Sequence, residues 1–311
     1  MEVAVSIATF GRPAGLRRLL AGLNGLRFEG PTPDLRYVVV DNDPEGSGFA
    51  VRAVIAEMAA TMNGPILYLE EPRRGISFAR NRGLEACIDA EFVAFIDDDE
   101  VPEPSWLEAL LHRCRDSDAD AVGGPVLPRF EVAPPDWARK GRFYERSRYP
   151  DGHEIGVAYT GNALLRTAAA RKAGLRFDDR LALSGGEDAH LFRRLKAAGG
   201  RIVWSNAAIV HESVPPQHLK PSWVVRRSFS IGWRFTRIDR ELNPGPASLA
   251  RNLYAALVRI VPGTARLLFF ALGPPHRRID ALQTITAGAG RAAALLGLQT
   301  EFHKLPSTDA T

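Results

Sequence analysis

The chain has 311 residues, 45% hydrophobic and 24% charged, a balance that fits a globular protein and excludes disordered, collagen-like and multi-span membrane chains. Its formal charge of +4 is unevenly placed: residues 1–220 carry 28 Lys and Arg against 31 Asp and Glu, while residues 221–311 carry 12 against 5. A net +7 confined to the tail implies an anionic partner there, for which a membrane surface or a phosphate group serves as well as nucleic acid. The only cysteines, Cys87 and Cys114, are too few for a disulfide framework or a structural zinc site and read as the reduced thiols of a cytosolic protein. Met1-Glu2-Val3-Ala4-Val5 lacks the basic and long apolar regions of a signal peptide, so the cytoplasmic side is expected.

In chain order, Val3 to Ala8 reads as a buried strand and the Leu16, Leu19, Leu20 and Leu23 spacing as a helix opened by Pro13. Tyr37 to Val40 is a second strand ending in Asp41-Asn42-Asp43-Pro44, followed by helical spacing from Val51 to Met62. Ile66 to Leu69, a helix over Ser77 to Ala86 and a strand over Phe92 to Ile96 repeat the unit. A helix near Ser105 and a short Ala121–Gly123 strand follow. Apolar strands alternating with helices predict an α/β fold with a mainly parallel sheet covered on both faces, and ligands at the carboxyl ends of its strands. Residues 128–154, rich in Pro, Arg and aromatics, read as a long functional loop. Beyond them come a strand at Ala163-Leu164-Leu165, a helix opened by Gly185-Gly186-Glu187-Asp188, and short strands at Arg201 to Trp204 and Ala207 to Val210, ending at His211. In the tail, Leu249, Leu253, Leu257 and Ile260 make an apolar stripe that Pro262 is expected to interrupt. That stretch is too short and too charged to span a bilayer and reads as an interfacial helix pair.

Asp97-Asp98-Asp99 leaves a buried strand as three adjacent carboxylates, whose mutual repulsion demands a compensating cation or hydrogen bonds. Oxygen ligands with no cysteine nearby suit Mg²⁺ or Mn²⁺. Glu187-Asp188 reads equally as acids opposing a helix macrodipole and as catalytic carboxylates. His211 alone is an ordinary histidine more often than a ligand. The pairs Arg73-Arg74 and Arg226-Arg227 read as solvated surface arginines or as forks for a diphosphate.

Taken in order, Ala8-Thr9-Phe10-Gly11-Arg12-Pro13, Val40-Asp41-Asn42, the Gly75 to Gly83 segment, Phe95-Ile96-Asp97-Asp98-Asp99, Thr160-Gly161-Asn162, Gly186-Glu187-Asp188 and Val210-His211 form a series that resembles inverting family 2 glycosyltransferases of the GT-A fold, over about residues 3–215. The nearest resemblance is to the bacterial exopolysaccharide branch, of the succinoglycan glucosyltransferase type. It implies a GT-A catalytic domain over 1–220 and a basic amphipathic helical tail over 221–311. It also implies that Thr9, Asp41 and Arg80 line the nucleotide pocket, that Asp97 and Asp98 approach the ribose, that Asp99 holds Mn²⁺ or Mg²⁺, and that His211 reaches the metal or the diphosphate. Asp188 then matches the catalytic base, with Glu187 beside it, and Asn162 lies near donor sugar or acceptor. Arg73 departs from the pattern, since many members carry Asn there. The implied donor is a nucleotide sugar, UDP by family habit. The implied acceptor is a saccharide or a polyprenyl-diphosphate-linked saccharide, reached from the inner face of the cell membrane, with no role for nucleic acid.

Transfer from such a donor needs a neutralised diphosphate leaving group and a general base opposite it, and a single displacement inverts the anomeric centre. Competing readings are a metal-dependent nucleotidyltransferase or phosphohydrolase, against which stands the lack of a P-loop and of a two-metal His/Asp set, and a non-catalytic sugar-nucleotide binding module. A dinucleotide reductase is disfavoured because Gly46-Ser47-Gly48 lacks the third glycine of the fingerprint. For the tail, packing on the domain or an oligomer contact is the alternative to a membrane role.

Overall fold

The computed structural model describes residues 1–43 and 46–298; the last stretch of the tail, 299–311, lies outside the described residues. Two compact units divide them. The first comprises Met1–Pro128, Arg146–Ala182 and Glu187–Ser213; the second comprises Arg129–Glu145, Leu183–Gly186 and the chain from Val214 onward.

The first unit is built on β1 (Glu2–Thr9), α1 (Pro13–Asn24), β2 (Asp34–Asp41), α2 (Gly48–Ala59), β3 (Ile66–Glu70), α3 (Ile76–Cys87) and β4 (Phe92–Phe95). It continues through β5 (Glu100–Pro102), α4 (Trp106–Asp116), β6 (Ala121–Gly123) and the start of β7 (Val126–Phe130). After α5 (Asp136–Gly141), which belongs to the second unit, come β8 (Ala163–Arg166), α6 (Thr167–Lys172), α7 (Glu187–Ala197), β9 (Ile202–Trp204) and β10 (Val210–Val214). The main sheet has seven strands in the order β3-β2-β1-β4-β8-β6-β9. Its strands are parallel except at β8, which runs antiparallel to both β4 and β6.

Successive side chains of a strand point to opposite faces, so a sheet buried on both sides needs apolar residues at every position. In β1, Val3, Val5 and Ile7 join the core formed with α1, α2 and α4, while Ala4 joins the core formed with α3, α6 and α7. In β2, Tyr37 and Val39 take the first face and Val38 and Val40 the second. The expected α/β architecture, with a mainly parallel sheet, is the one observed. A second sheet of three strands, ordered β5-β10-β7, had no counterpart in the sequence reading. Its β10 begins at Val210, where the apolar spacing predicted a strand to end, because β5 offers it a pairing edge that only the tertiary fold creates.

The second unit holds α5, α8 (Pro221–Leu242), α9 (Pro246–Phe269) and α10 (Pro275–Leu295). Its core is a cluster of Ala138, Phe143, Tyr144, Val214, Val224 and Ile279. Residues 128–154 are therefore not a plain loop: one part is helical and packs with the tail. Pro262 does not interrupt the tail helix as predicted, and α9 runs through it. A mid-helix proline removes one backbone hydrogen bond; Pro262 is exposed, where water can satisfy the carbonyl it leaves without a donor. Among the described residues, no helix is long and apolar enough to cross a membrane.

Candidate active site

Thr9 and Asp41 lie opposite one another at the ends of parallel β1 and β2, and Ser6 lies opposite Phe95 of β4. This register brings Thr9, Asp41 and the Asp97–Asp99 turn to one edge of the sheet, outside its carboxyl ends. Thr9 Oγ1 donates to Asp98 Oδ2 at 2.8 Å. The Arg12 guanidinium, at the start of α1, donates to Asp98 Oδ1 at 3.0 Å and to Asp99 Oδ2 at 2.7 Å. Asp98 is thereby turned inward, its side chain 6% exposed, while Asp97 and Asp99 keep 34% and 32% of theirs open. Asp41 is fully buried; burial raises its carboxyl, and hydrogen bonds from the Asp43 N–H and the Tyr68 hydroxyl pull the other way.

Arg80, on the buried side of α3, links two parts of the site. It donates from Nη2 to Asp97 Oδ1 at 2.6 Å and from Nη1 to Glu187 Oε1. Burial works against its charge, but Asp97, Glu187 and Asp188 together outweigh that cost and hold the guanidinium protonated. Glu187 and Asp188 open α7 directly after Gly185 and Gly186, whose φ angles of 72° and 91° lie where a side chain is strained. Asp188 is half-buried and accepts from the Ala189 N–H at 2.6 Å, in the first turn of the helix, where an acid opposes the macrodipole.

A third wall comes from the small sheet. Antiparallel pairing of β5 with β10 sets Glu212 opposite Glu100 and His211 opposite Val101, so the two side chains of each pair share a face. Glu212 consequently sits with the acidic group, where it adds to the forces raising Asp99 and Glu100. His211 emerges on the other face, with Nε2 3.0 Å from Glu103 Oε1. Arg146 donates to Glu212 Oε2 at 2.8 Å, and Glu212 and Glu100 keep it charged against the cost of burial. Glu100 is 1% exposed, accepts from the Asp97 N–H at 3.0 Å, and is pushed well up by burial and then by Asp97.

Arg12, Glu100, Arg146 and Glu212 were not among the residues the sequence singled out. Glu100 extends the aspartate triplet to four consecutive acids, and Glu212 follows His211, where strand alternation could have shown that only one of the two faces the site. Arg146 carried no signal beyond its place in an arginine-rich segment. Asn162 follows Gly161, which lies against the Glu100 carboxyl, but its side chain is engaged in structural hydrogen bonds. Its Oδ1 accepts from Trp106 Nε1 at 2.8 Å and its Nδ2 donates to the Pro125 and Ala208 carbonyls at 2.9 and 2.7 Å, so its side chain is spent tying α4 to neighbouring backbone. The Arg73 side chain closes a bidentate bond on Glu71, both contacts at 2.9 Å.

Among the described residues, Arg12, Arg80 and Arg146 thus face a group of carboxyls that includes Asp97, Asp98, Asp99, Glu100, Glu187, Asp188 and Glu212. Burial pushes Asp99 up to about 7; Arg12 opposes this, and Asp97, Asp98 and Glu212 add to it. The group offers carboxylate oxygens, and Asp97 and Asp99 keep 34% and 32% of their side chains exposed. That donor set fits a hard divalent cation such as Mg²⁺ or Mn²⁺.

Residues 4–174 match Glycosyl transferase family 2, and residues 92–298 match Glycosyl transferase family group 2. The chain belongs to glycosyl transferase family 2. This family 2 chain is 35% identical over 307 residues to the succinoglycan biosynthesis protein ExoM of Rhizobium meliloti, covering 96% of the chain and 94% of that protein. Among solved structures, it is similar to the mannosyltransferase PcManGT of Pyrobaculum calidifontis in complex with GDP-Man and Mn²⁺. The TM-score there is 0.62 at 21% identity, covering 96% and 88% of the two chains. It is also similar to TarS residues 1–349 of S. aureus in complex with UDP, with TM-score 0.54 and 15% identity, covering 98% and 95%. These neighbours establish the α/β fold of the family 2 chain as GT-A, and the family makes it a glycosyltransferase.

Proposed function

We propose that the enzyme moves a sugar from a nucleotide sugar, a UDP-sugar by default, to a hydroxyl of a saccharide or polyprenyl-diphosphate-linked acceptor in bacterial exopolysaccharide synthesis, inverting the anomeric centre. The observation that carries the reading is Arg80, whose two arms hold Asp97 of the aspartate turn and Glu187 beside Asp188. An arginine joining these two acidic segments, from elements far apart in sequence, supports assigning them to the leaving group and to the base of one reaction. The relationship to a succinoglycan biosynthesis protein supports the acceptor class, and neighbours bound to UDP and GDP-Man support a nucleotide-sugar donor.

In this reading Asp99, with Asp97 and Glu212 close by, holds Mn²⁺ or Mg²⁺; His211, turned toward Glu103, is a weaker candidate ligand. When bound, the cation supplies charge neutralisation for the departing diphosphate. Thr9 and Arg12 fix Asp98, and Asp41 takes the polar edge of the base. Asp188 Oδ accepts the proton of the acceptor hydroxyl as that oxygen attacks the anomeric carbon from the face opposite the leaving group. One displacement of this kind turns an α-linked donor into a β-linked product.

A panel of nucleotide sugars, assayed with Mn²⁺, with Mg²⁺ and with chelator, tests the reading. Nucleoside diphosphate release that requires the cation and an acceptor supports it; release of sugar 1-phosphate would instead indicate nucleotidyl transfer or hydrolysis of the diphosphate. Asp188→Asn should bind donor as the wild type does and lose about 10²–10⁴-fold in turnover, as expected on removing a general base. Near-wild-type turnover by that variant would remove Asp188 from the base role.

A further inference from the structure

The second unit contains a helix whose polarity runs the wrong way for a helix exposed to water. A surface helix normally buries its large apolar residues and shows charge outward. In α9 the buried positions are Ser248, Asn252, Ala256 and Gly263, small or polar side chains. The outward positions, besides Arg251, Thr264 and Arg266, include large apolar side chains: Leu253 is 49% exposed, Tyr254 68%, Leu257 50%, Val261 65%, Leu268 73% and Phe269 81%. Leu272, just beyond the helix, is 102% exposed. The inner residues are held by hydrogen bonds, with Asp239 of α8 receiving Ser248, Arg251 and Asn252, so the orientation of α9 about its axis is set from inside. Small and polar residues inward with bulky apolar residues outward is the arrangement of a helix whose outer neighbour is lipid.

The charge around this face selects its occupant. No acidic residue lies on α9, and its exposed arginines, Arg251 and Arg266, are paired with Asp239 and Asp280. Arg277 and Arg278 are both exposed at the start of α10, immediately after Leu272, and Arg277 lies over the Phe270 ring at 5.8 Å. The α9 face of a second copy would offer Arg277 and Arg278 no acidic residue, whereas an anionic headgroup layer neutralises them. The helix is about 36 Å long at 1.5 Å per residue. It is not apolar enough to span a bilayer and suits one lying in the plane of the interface.

We infer that the outward face of α9, with the Leu268–Arg278 tip, is a docking surface for an anionic lipid membrane, in which Leu257, Val261, Phe269 and Leu272 enter the acyl boundary while Arg277 and Arg278 engage headgroups. The inference does not rest on the reaction proposed above, since donor turnover on a soluble acceptor is read separately from vesicle binding.

The full chain is floated with vesicles of phosphatidylcholine alone and of phosphatidylcholine with phosphatidylglycerol. Binding to the anionic vesicles, weakened by salt, is expected, with little binding to the neutral ones. Leu257→Glu with Val261→Glu, at exposed positions, should reduce binding about tenfold or more, and so should Arg277→Gln with Arg278→Gln. Circular dichroism and thermal midpoint report whether each variant folds, and Leu268→Gln with Leu272→Gln replaces the first pair if it does not. A wild-type chain that fails to float with anionic vesicles overturns the inference, as do folded variants that float equally well. A concentration-dependent dimer in sedimentation, dispersed by the same substitutions without vesicle binding, would assign the face to a second copy instead.

Discussion

Asp98 and Asp99 show how adjacent identical residues acquire different duties. Asp98 is consumed by Thr9 and Arg12 and anchors the turn, while Asp99 shares Arg12 but stays open, its carboxyl raised to about 7. The triplet was legible in the sequence as a group in need of a cation; which member points outward was not, because a turn does not impose a simple alternation. Where a strand does impose it, the neighbouring residues His211 and Glu212 part company. If Glu212 helps to hold the cation and Arg146, Glu212→Gln should weaken divalent-dependent donor binding about tenfold, within the range seen when a group supporting a metal site is removed. His211→Ala should change it far less. Isothermal titration of nucleoside diphosphate with and without Mn²⁺ checks both, and a reversed order would return His211 to the cation site.

At the scale of elements, the helices of the second unit pack through small residues rather than through a broad apolar stripe. A Cβ on Gly232 of α8 would stand 2.0 Å from the Ala287 carbonyl oxygen, and one on Gly290 of α10 2.0 Å from that of Phe229, so backbone meets backbone there. The polar pin at Asp239 secures α9 to α8. Burial alone would raise its carboxyl, but hydrogen bonds from Arg251, Asn252 and Ser248 outweigh this and lower it. A carboxyl lowered in the folded state adds stability above its unfolded pKa of about 4, and that contribution is lost as pH falls through the folded value. Asp239→Asn should therefore cost about 2 kcal/mol at pH 7, the worth of charge-assisted hydrogen bonds. The gap in thermal midpoint between variant and wild type should close as the pH falls below about 4. A gap that is constant with pH would show that the carboxylate charge is not what holds the pin. The leucine spacing of α9 was readable in the sequence, but not the side to which it would be turned.

For the whole molecule, the chain crosses between its two units several times. Tyr144 stacks on Trp223 at 5.5 Å and donates to the His218 carbonyl at 2.8 Å, and Phe143 shares a cluster with Val224 and Ile279. A chain ending at residue 220 should thus expose Ala138, Phe143 and Tyr144, bind a hydrophobic dye strongly and aggregate in size-exclusion chromatography; a monomeric, cooperatively unfolding fragment would show instead that the tail is separable. The amino-acid sequence by itself determined the α/β class, the parallel strands with their apolar faces, the family resemblance and the acidic and basic division of the chain, because periodicity and short motifs are local properties. Only the tertiary structure decided that β5 and β10 would pair, that Glu212 rather than His211 would face the aspartates, that Arg80 would join Asp97 to Glu187, and that α9 would carry its leucines outward. Each of these depends on a register or a packing partner distant in the chain, and pairings of that kind leave no signature in the spacing of neighbouring residues.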